Sequence, residues 1–122
     1  MESWNQQWAG EPRSFAELQP DLVVYNEGTN DGAQNITADF VTVVKALQAV
    51  APRAKQLLLV PFDGQQKANI EATVALVGSS SVVVGDTEGF YSGEDGLHPF
   101  GYNHIAMIAP MVAKLCLPLL HS

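Results

Sequence analysis

Two short stretches of this sequence carry side chains whose type and spacing could do chemistry. In "EDGLHP", Glu94 to Pro99, the carboxylate of Asp95 and the imidazole of His98 stand three residues apart. Gly96 allows the backbone to turn between them, and Pro99 stiffens the exit. A carboxylate that accepts from one imidazole nitrogen fixes the tautomer and leaves the other nitrogen free as a general base. In "LVVYNEGTNDG", Leu22 to Gly32, an apolar run stops abruptly in hydrogen-bonding groups. The side-chain amide of Asn30 is an uncharged donor, suited to an oxyanion that develops in a transition state. Gly28 would let the backbone approach a ligand, and Asp31 would hold the loop by accepting backbone N–H groups. Taken singly, each stretch has a bland alternative: a solvated loop for the first, an ordinary turn for the second.

The other polar candidates are weaker. His104 reads as a helix-surface or packing residue, and His121 lies in a tail. Glu27 beside the Asn30 loop would oppose negative charge on a substrate unless it faces solvent. Alternation puts it on the face of Val23 and Tyr25, with Asn26 on the face of Val24. Asn35-Ile36-Thr37 fits a glycosylation sequon, which reads as incidental. The single cysteine, Cys116, sits in "KLCLPLL" and reads as a buried thiol rather than a metal ligand.

The elements that must position these groups alternate strand and helix. Leu22–Tyr25 is an apolar strand opened by Pro20 and Asp21. Thr37 to Val50 spaces Phe40, Val41, Val44, Leu47 and Val50 as a helix, with Thr37 or Asn35 as N-cap and Pro52 closing it. Gln56–Phe62 reads as a second strand, unbroken in hydrophobicity like a parallel strand covered on both faces. Gln65 to Val77 is a second helix ending at Gly78. Ser81–Asp86 is a third strand, and Asn103 to Leu117 a last helix, with Pro110 a kink or part of a late first turn. The residues before Pro20 read as the tail of a preceding helix. No repeat or linker interrupts the chain, so residues 1–122 form one domain: a remnant over 1–19 and a core over 20–117. Alternating strands and helices imply a parallel sheet with right-handed crossovers, and ligands collect at the carboxyl ends of such strands. That directs attention to the loops Gly28–Asn35, Phe62–Gln66 and Asp86–Phe100.

Composition bounds the function. At 122 residues, 47% hydrophobic and 16% charged, the chain is of globular type with one modest core. Thirteen acidic residues against six scattered basic ones give a net charge of −7, which argues against nucleic acid as a partner. No apolar run is long enough to span a bilayer, and the first residues do not begin a signal peptide. The compartment is left open.

Taken together, "GTND" after a strand and "DGLHP" leading into a final helix resemble the SGNH, or GDSL-like, hydrolase family. The resemblance runs from about Pro20 to Leu117. It implies an α/β fold, a three-layer α/β/α sandwich of flavodoxin-like type, here with a shortened parallel sheet of about three strands. It implies a carboxylic ester hydrolase acting by acyl transfer on a small ester. Asn30 would lie in the oxyanion hole, supported by Gly28, Thr29 and Asp31, with His98 as base and Asp95 as its orienting partner. No metal or organic cofactor is required for that mechanism.

The family's Gly-Asp-Ser block and its second oxyanion glycine are not present, so the domain is expected to be truncated at its amino end. The stand-in nucleophiles are Thr87, in "GDT" after a strand, and Ser92 beside the Asp-His loop. Threonine is hindered and normally needs its own terminal amine as activator. Ser79, Ser80 and Ser81 fall at the wrong end of a strand, and Ser3 and Ser14 would need the amino-terminal segment to fold back. In the family's strand order the absent first strand lies beside Leu22–Tyr25. That strand would be a bare edge, and the chain would pair through it with a second copy or with a partner chain. Two rival readings remain: a catalytically inactive remnant serving binding or assembly, and a small flavodoxin-like ligand-binding domain. The latter is weakened by an acidic chain whose first loop lacks a glycine-rich phosphate cradle.

Overall fold

The structure, a computed structural model, describes residues 6–8, 11–12, 15–90, 101 and 104–121. At the amino end a short antiparallel ribbon, β1 (Gln6–Trp8) and β2 (Glu11–Pro12), precedes a single helical turn, α1 (Phe15–Leu18). Among the described residues of the segment expected as the tail of a helix, that turn is the helical part. There follow β3 (Leu22–Tyr25), α2 (Thr37–Val50), β4 (Lys55–Val60), α3 (Lys67–Val77) and β5 (Val82–Asp86). A π-helical turn, His104–Ile108, then leads directly into α4 (Ala109–Leu120). The described residues make a mixed α/β fold around a three-stranded parallel sheet, ordered β3-β4-β5.

Several boundaries differ from the sequence expectation for local reasons. β4 stops at Val60 because Pro61 offers no N–H to the ladder, and the Gly64 N–H instead closes a turn onto the Pro61 carbonyl at 2.9 Å. α3 begins at Lys67, not Gln65, since Gln66 takes a left-handed conformation (φ 63°) that no α-helix continues. Ile36 is the N-cap residue of α2, but the Asn35 side-chain oxygen accepts the Thr37 N–H at 3.0 Å. The last helix runs on to Leu120, and Pro110 stands directly after the π-helical turn, where the regular ladder of N–H bonds is already interrupted.

The centre of the fold is β4. Gln56 through Val60 are all buried, which requires cover on both faces. On one face Leu58 and Val60 join Tyr25 and Val82 in a cluster with Phe40, Val43, Val44 and Leu47 of α2 and Ile70 of α3. The α2 residues recur at helical spacing, so one stripe meets the sheet. Val43 belongs to that stripe, whereas Val41 is only half-buried and Val50 is exposed. On the other face lie Leu57 and Leu59, and α4 comes close. A Cβ at Gly85 would fall 2.8 Å from Leu59, 3.0 Å from Leu57 and 3.3 Å from Leu115. Glycine at that strand position is what lets α4 settle on the sheet.

A long polar side chain interrupts the apolar face of β4. Gln56 is fully buried, and its amide is satisfied at both ends. The Tyr25 hydroxyl donates to Gln56 Oε1 at 2.7 Å, while Gln56 Nε2 donates to the Val44 carbonyl at 3.2 Å. The central strand is thereby tied to β3 and to α2, and the Tyr25 ring meets Phe40 edge-on at 5.8 Å. Burial pushes the Tyr25 phenol above its ordinary value of 10.0.

Tyr25→Phe strands Gln56 Oε1 without a donor and should cost about 1–3 kcal/mol in chemical denaturation near neutral pH. Because the folded phenol titrates above the unfolded one, its stabilisation is complete below pH 10 and is lost as pH rises toward the folded value. The stability gap between wild type and Tyr25→Phe should therefore narrow above pH 10. A gap that stays constant there would show that Tyr25 ionises as freely in the folded protein as in the unfolded one.

Candidate functional site

Three loops leave the carboxyl ends of the parallel strands: residues 26–36 after β3, 61–66 after β4 and 87–90 after β5. Asn30 lies in the first of them. The loop turns on itself, the Asp31 N–H donating to the Gly28 carbonyl and the Gln34 N–H to the Asp31 carbonyl, both at 3.2 Å. The main-chain carbonyl of Asp31, rather than its carboxylate, thus closes the second turn. Asn30 is exposed and Thr29 half-buried. Among the described residues no hydrogen bond engages the Asn30 side chain. Glu27 is likewise exposed, in line with a strand end that faces solvent.

What steadies this loop is a residue the sequence did not single out. Gln66, left-handed and buried, extends its side chain under the Asn30 loop. Its Nε2 donates to the Gly32 carbonyl at 2.9 Å and to the Gln34 carbonyl at 2.7 Å. Its Oε1 accepts from Asn69 Nδ2 at 2.6 Å, and Asn69 in turn faces the Thr37 hydroxyl at 3.4 Å. The helices α2 and α3 and the loops after β3 and β4 are joined in one polar chain. Gly28 (φ +109°) belongs to the same device. A Cβ there would come within 3.2 Å of Gln66 Cγ, so the glycine serves packing against a side chain of its own protein. The available signal was only that a second polar residue, Gln66, follows a glycine at a strand-to-helix junction.

The third loop is tied to the second. The Gly89 N–H donates to the Phe62 carbonyl at 2.9 Å, and Lys67 Nζ bridges Asp86 Oδ2 at 2.8 Å and Glu88 Oε2 at 3.2 Å. The Lys67 ammonium beside Asp86, with help from the Glu88 N–H, holds the Asp86 carboxyl below its usual range. The same pair of carboxylates, Asp86 first, raises Lys67. Thr87 is buried, and its hydroxyl donates to the Val60 carbonyl. To attack a substrate it would have to leave that bond and its enclosure. Ser79 Oγ accepts the Ser81 N–H at 3.2 Å, at the amino end of β5 and away from the three loops.

Asp95, His98 and Ser92 lie outside the described residues. Among the described residues no three His, Cys, Asp or Glu side chains gather as metal ligands, and no helix is long and apolar enough to cross a membrane. Cys116 is half-buried on α4, less enclosed than expected. A cavity of about 330 Å3, lined by Asp21, Arg53, Lys55, Leu119 and Leu120, opens at the amino ends of β3 and β4, the opposite end from Asn30.

Gln66→Ala removes both donors to the loop while leaving Asn30 in place. Amide exchange at Asp31 and Gln34 should then accelerate about thirtyfold, as expected for losing two hydrogen bonds of about 1 kcal/mol each. Exchange in β4 should be unchanged. Equal acceleration in both places would mean that Gln66 supports the whole domain rather than the loop.

Comparison of the chain with protein-family models, with curated proteins and with solved structures finds no match in any of the three.

Proposed function

We propose that this chain is an SGNH-type carboxylic ester hydrolase domain of three-layer α/β/α architecture, acting by acyl transfer on a small ester. Asn30 donates to the oxyanion, His98 takes the proton of an attacking hydroxyl that this sequence does not identify and passes it to the leaving alcohol, and Asp95 orients the imidazole. The observation that carries the reading is Asn30 itself. An exposed side-chain amide, without a hydrogen-bond partner among the described residues, stands at the carboxyl end of a parallel strand. The loop that bears it is clamped from below by Gln66. A preorganised, uncommitted donor is what stabilisation of a developing oxyanion asks for, because no reorganisation is needed when charge appears. "DGLHP" supplies the remaining two groups in the order this chemistry uses.

A second reading has an observation of its own. Thr87, which stands where a Gly-Asp-Ser mimic would place a nucleophile, is enclosed and bonded to Val60. That favours a non-catalytic remnant of the fold retained for binding or assembly.

A short-chain p-nitrophenyl ester and a fluorophosphonate probe separate the two. Hydrolysis should saturate with substrate, and mass spectrometry should place the label on one serine or threonine, which names the nucleophile. Asn30→Ala should lower kcat by about 10²–10³ with little change in KM. His98→Ala should remove both turnover and label. Absence of turnover and label in the wild type would overturn the hydrolase reading in favour of the remnant.

A further inference from the structure

The sheet ends in β3, and among the described residues no strand pairs with its outer side. The Lys55 N–H donates to the Asp21 carbonyl at 2.9 Å, so Asp21, Val23 and Tyr25 turn their main-chain groups toward β4. Alternation then points the N–H and C=O of Leu22 and Val24 outward. An apolar strand whose outward main-chain groups find no partner strand among the described residues, with neither lysine nor proline inside it, lacks the usual protections of an exposed edge. Apolar side chains also remain uncovered around it. Val24 is 40% exposed on the strand itself. Leu18 and Val50, 65% and 41% exposed, lie on neighbouring segments that the bond from Gln19 Nε2 to the Val50 carbonyl holds together.

We propose that β3 is a homotypic interface, at which two copies of this chain pair antiparallel about a two-fold axis normal to the sheet. The sequence of the edge selects both the occupant and the register. A two-fold of this kind keeps each face of the sheet continuous, so only residues of like parity can stand opposite each other. With Val23 opposite Val23, Leu22 and Val24 exchange both of their free main-chain hydrogen bonds across the axis. Asp21 then meets Tyr25, and Pro20 meets Asn26, with no like charges opposed. With Val24 opposite Val24, Asp21 would face Glu27 on both sides of the axis. Parallel, in-register pairing would set Asp21 beside Asp21 and Glu27 beside Glu27. Like charges directly opposite are destabilising, and a Leu22-centred pairing would set Pro20, which has no N–H to give, opposite Val24, so the Val23-centred register is the one this edge fits. The result is a continuous six-stranded sheet, and the Leu18, Val24 and Val50 side chains are drawn toward the new interface. This inference does not depend on the hydrolase reading.

Two measurements test it. By size-exclusion chromatography with light scattering, the wild type should elute as a dimer at micromolar concentration. Val24→Lys should elute as a monomer with an unchanged far-ultraviolet circular dichroism spectrum. In a Cys116→Ser background, mild oxidation should cross-link Val23→Cys into a covalent dimer and leave Val24→Cys largely uncross-linked, since only residue 23 stands opposite itself. A wild-type monomer at that concentration overturns the interface. Cross-linking of Val24→Cys in preference to Val23→Cys overturns the register.

Discussion

The fold depends on covering β4 on both faces. A strand that is buried from Gln56 to Val60 cannot stay in water on either side, so α2 and α3 must close one face and α4 the other. Helices on both faces follow from parallel strands, because each crossover must return the chain to the same end of the sheet. The buried amide of Gln56 adds specificity to this apolar constraint. Leu57 and Leu59 would be satisfied by many neighbours, but Gln56 needs an acceptor and a donor in fixed places, which Val44 and Tyr25 supply. Register between β3 and β4 and the height of α2 along the sheet are set by the same side chain.

Once the strands are parallel and in register, all three of their carboxyl ends open at one edge. The loops there are neither loose nor independent. Gln66 reaches back into the Asn30 loop, and Lys67 reaches forward to Asp86 and Glu88 after β5. Two adjacent residues at the start of α3 thus brace the loops on either side of their own. The left-handed backbone at Gln66 directs one of them inward, and helix entry directs the next outward. Local strain at a non-glycine residue is held by the three hydrogen bonds of its side chain. Against this rigid support Asn30 stands out at the same edge as a polar side chain with no hydrogen-bond partner among the described residues.

The other conspicuous feature is the contrast between the two sides of β3. Its inner side is ordered by the ladder to β4 and by the Tyr25–Gln56 bond, while its outer side offers main-chain groups and the exposed Val24. A strand so firmly held on one side presents a preformed template on the other. That is why the charge pattern of its flanks, Asp21 and Glu27, carries information about what can lie beside it.

The amino-acid sequence by itself determined the alternation of strands and helices. Leu22–Tyr25, Thr37–Val50 and the start of the turn after Val77 are legible because hydrophobic period, Pro52 and Gly78 are local signals. It also marked Asn30 as a polar residue at a strand end. Boundaries governed by non-local partners were not legible in the same way. Gln65 and Gln66 look like the first turn of a helix, yet Gln66 is drawn out of helical conformation by carbonyls more than thirty residues away. Val43 rather than Val41 joins the core because the sheet, not the helix, decides which stripe of α2 is covered. Gly28 reads as a place for a ligand to approach, and only the packed structure shows that a glutamine side chain occupies it. The same holds for Thr87, whose "GDT" context suggests a reactive hydroxyl until Val60 is seen to accept its proton. Local sequence specifies what the backbone prefers, whereas the partners that satisfy buried polar groups come from distant parts of the chain and exist only once the chain has packed.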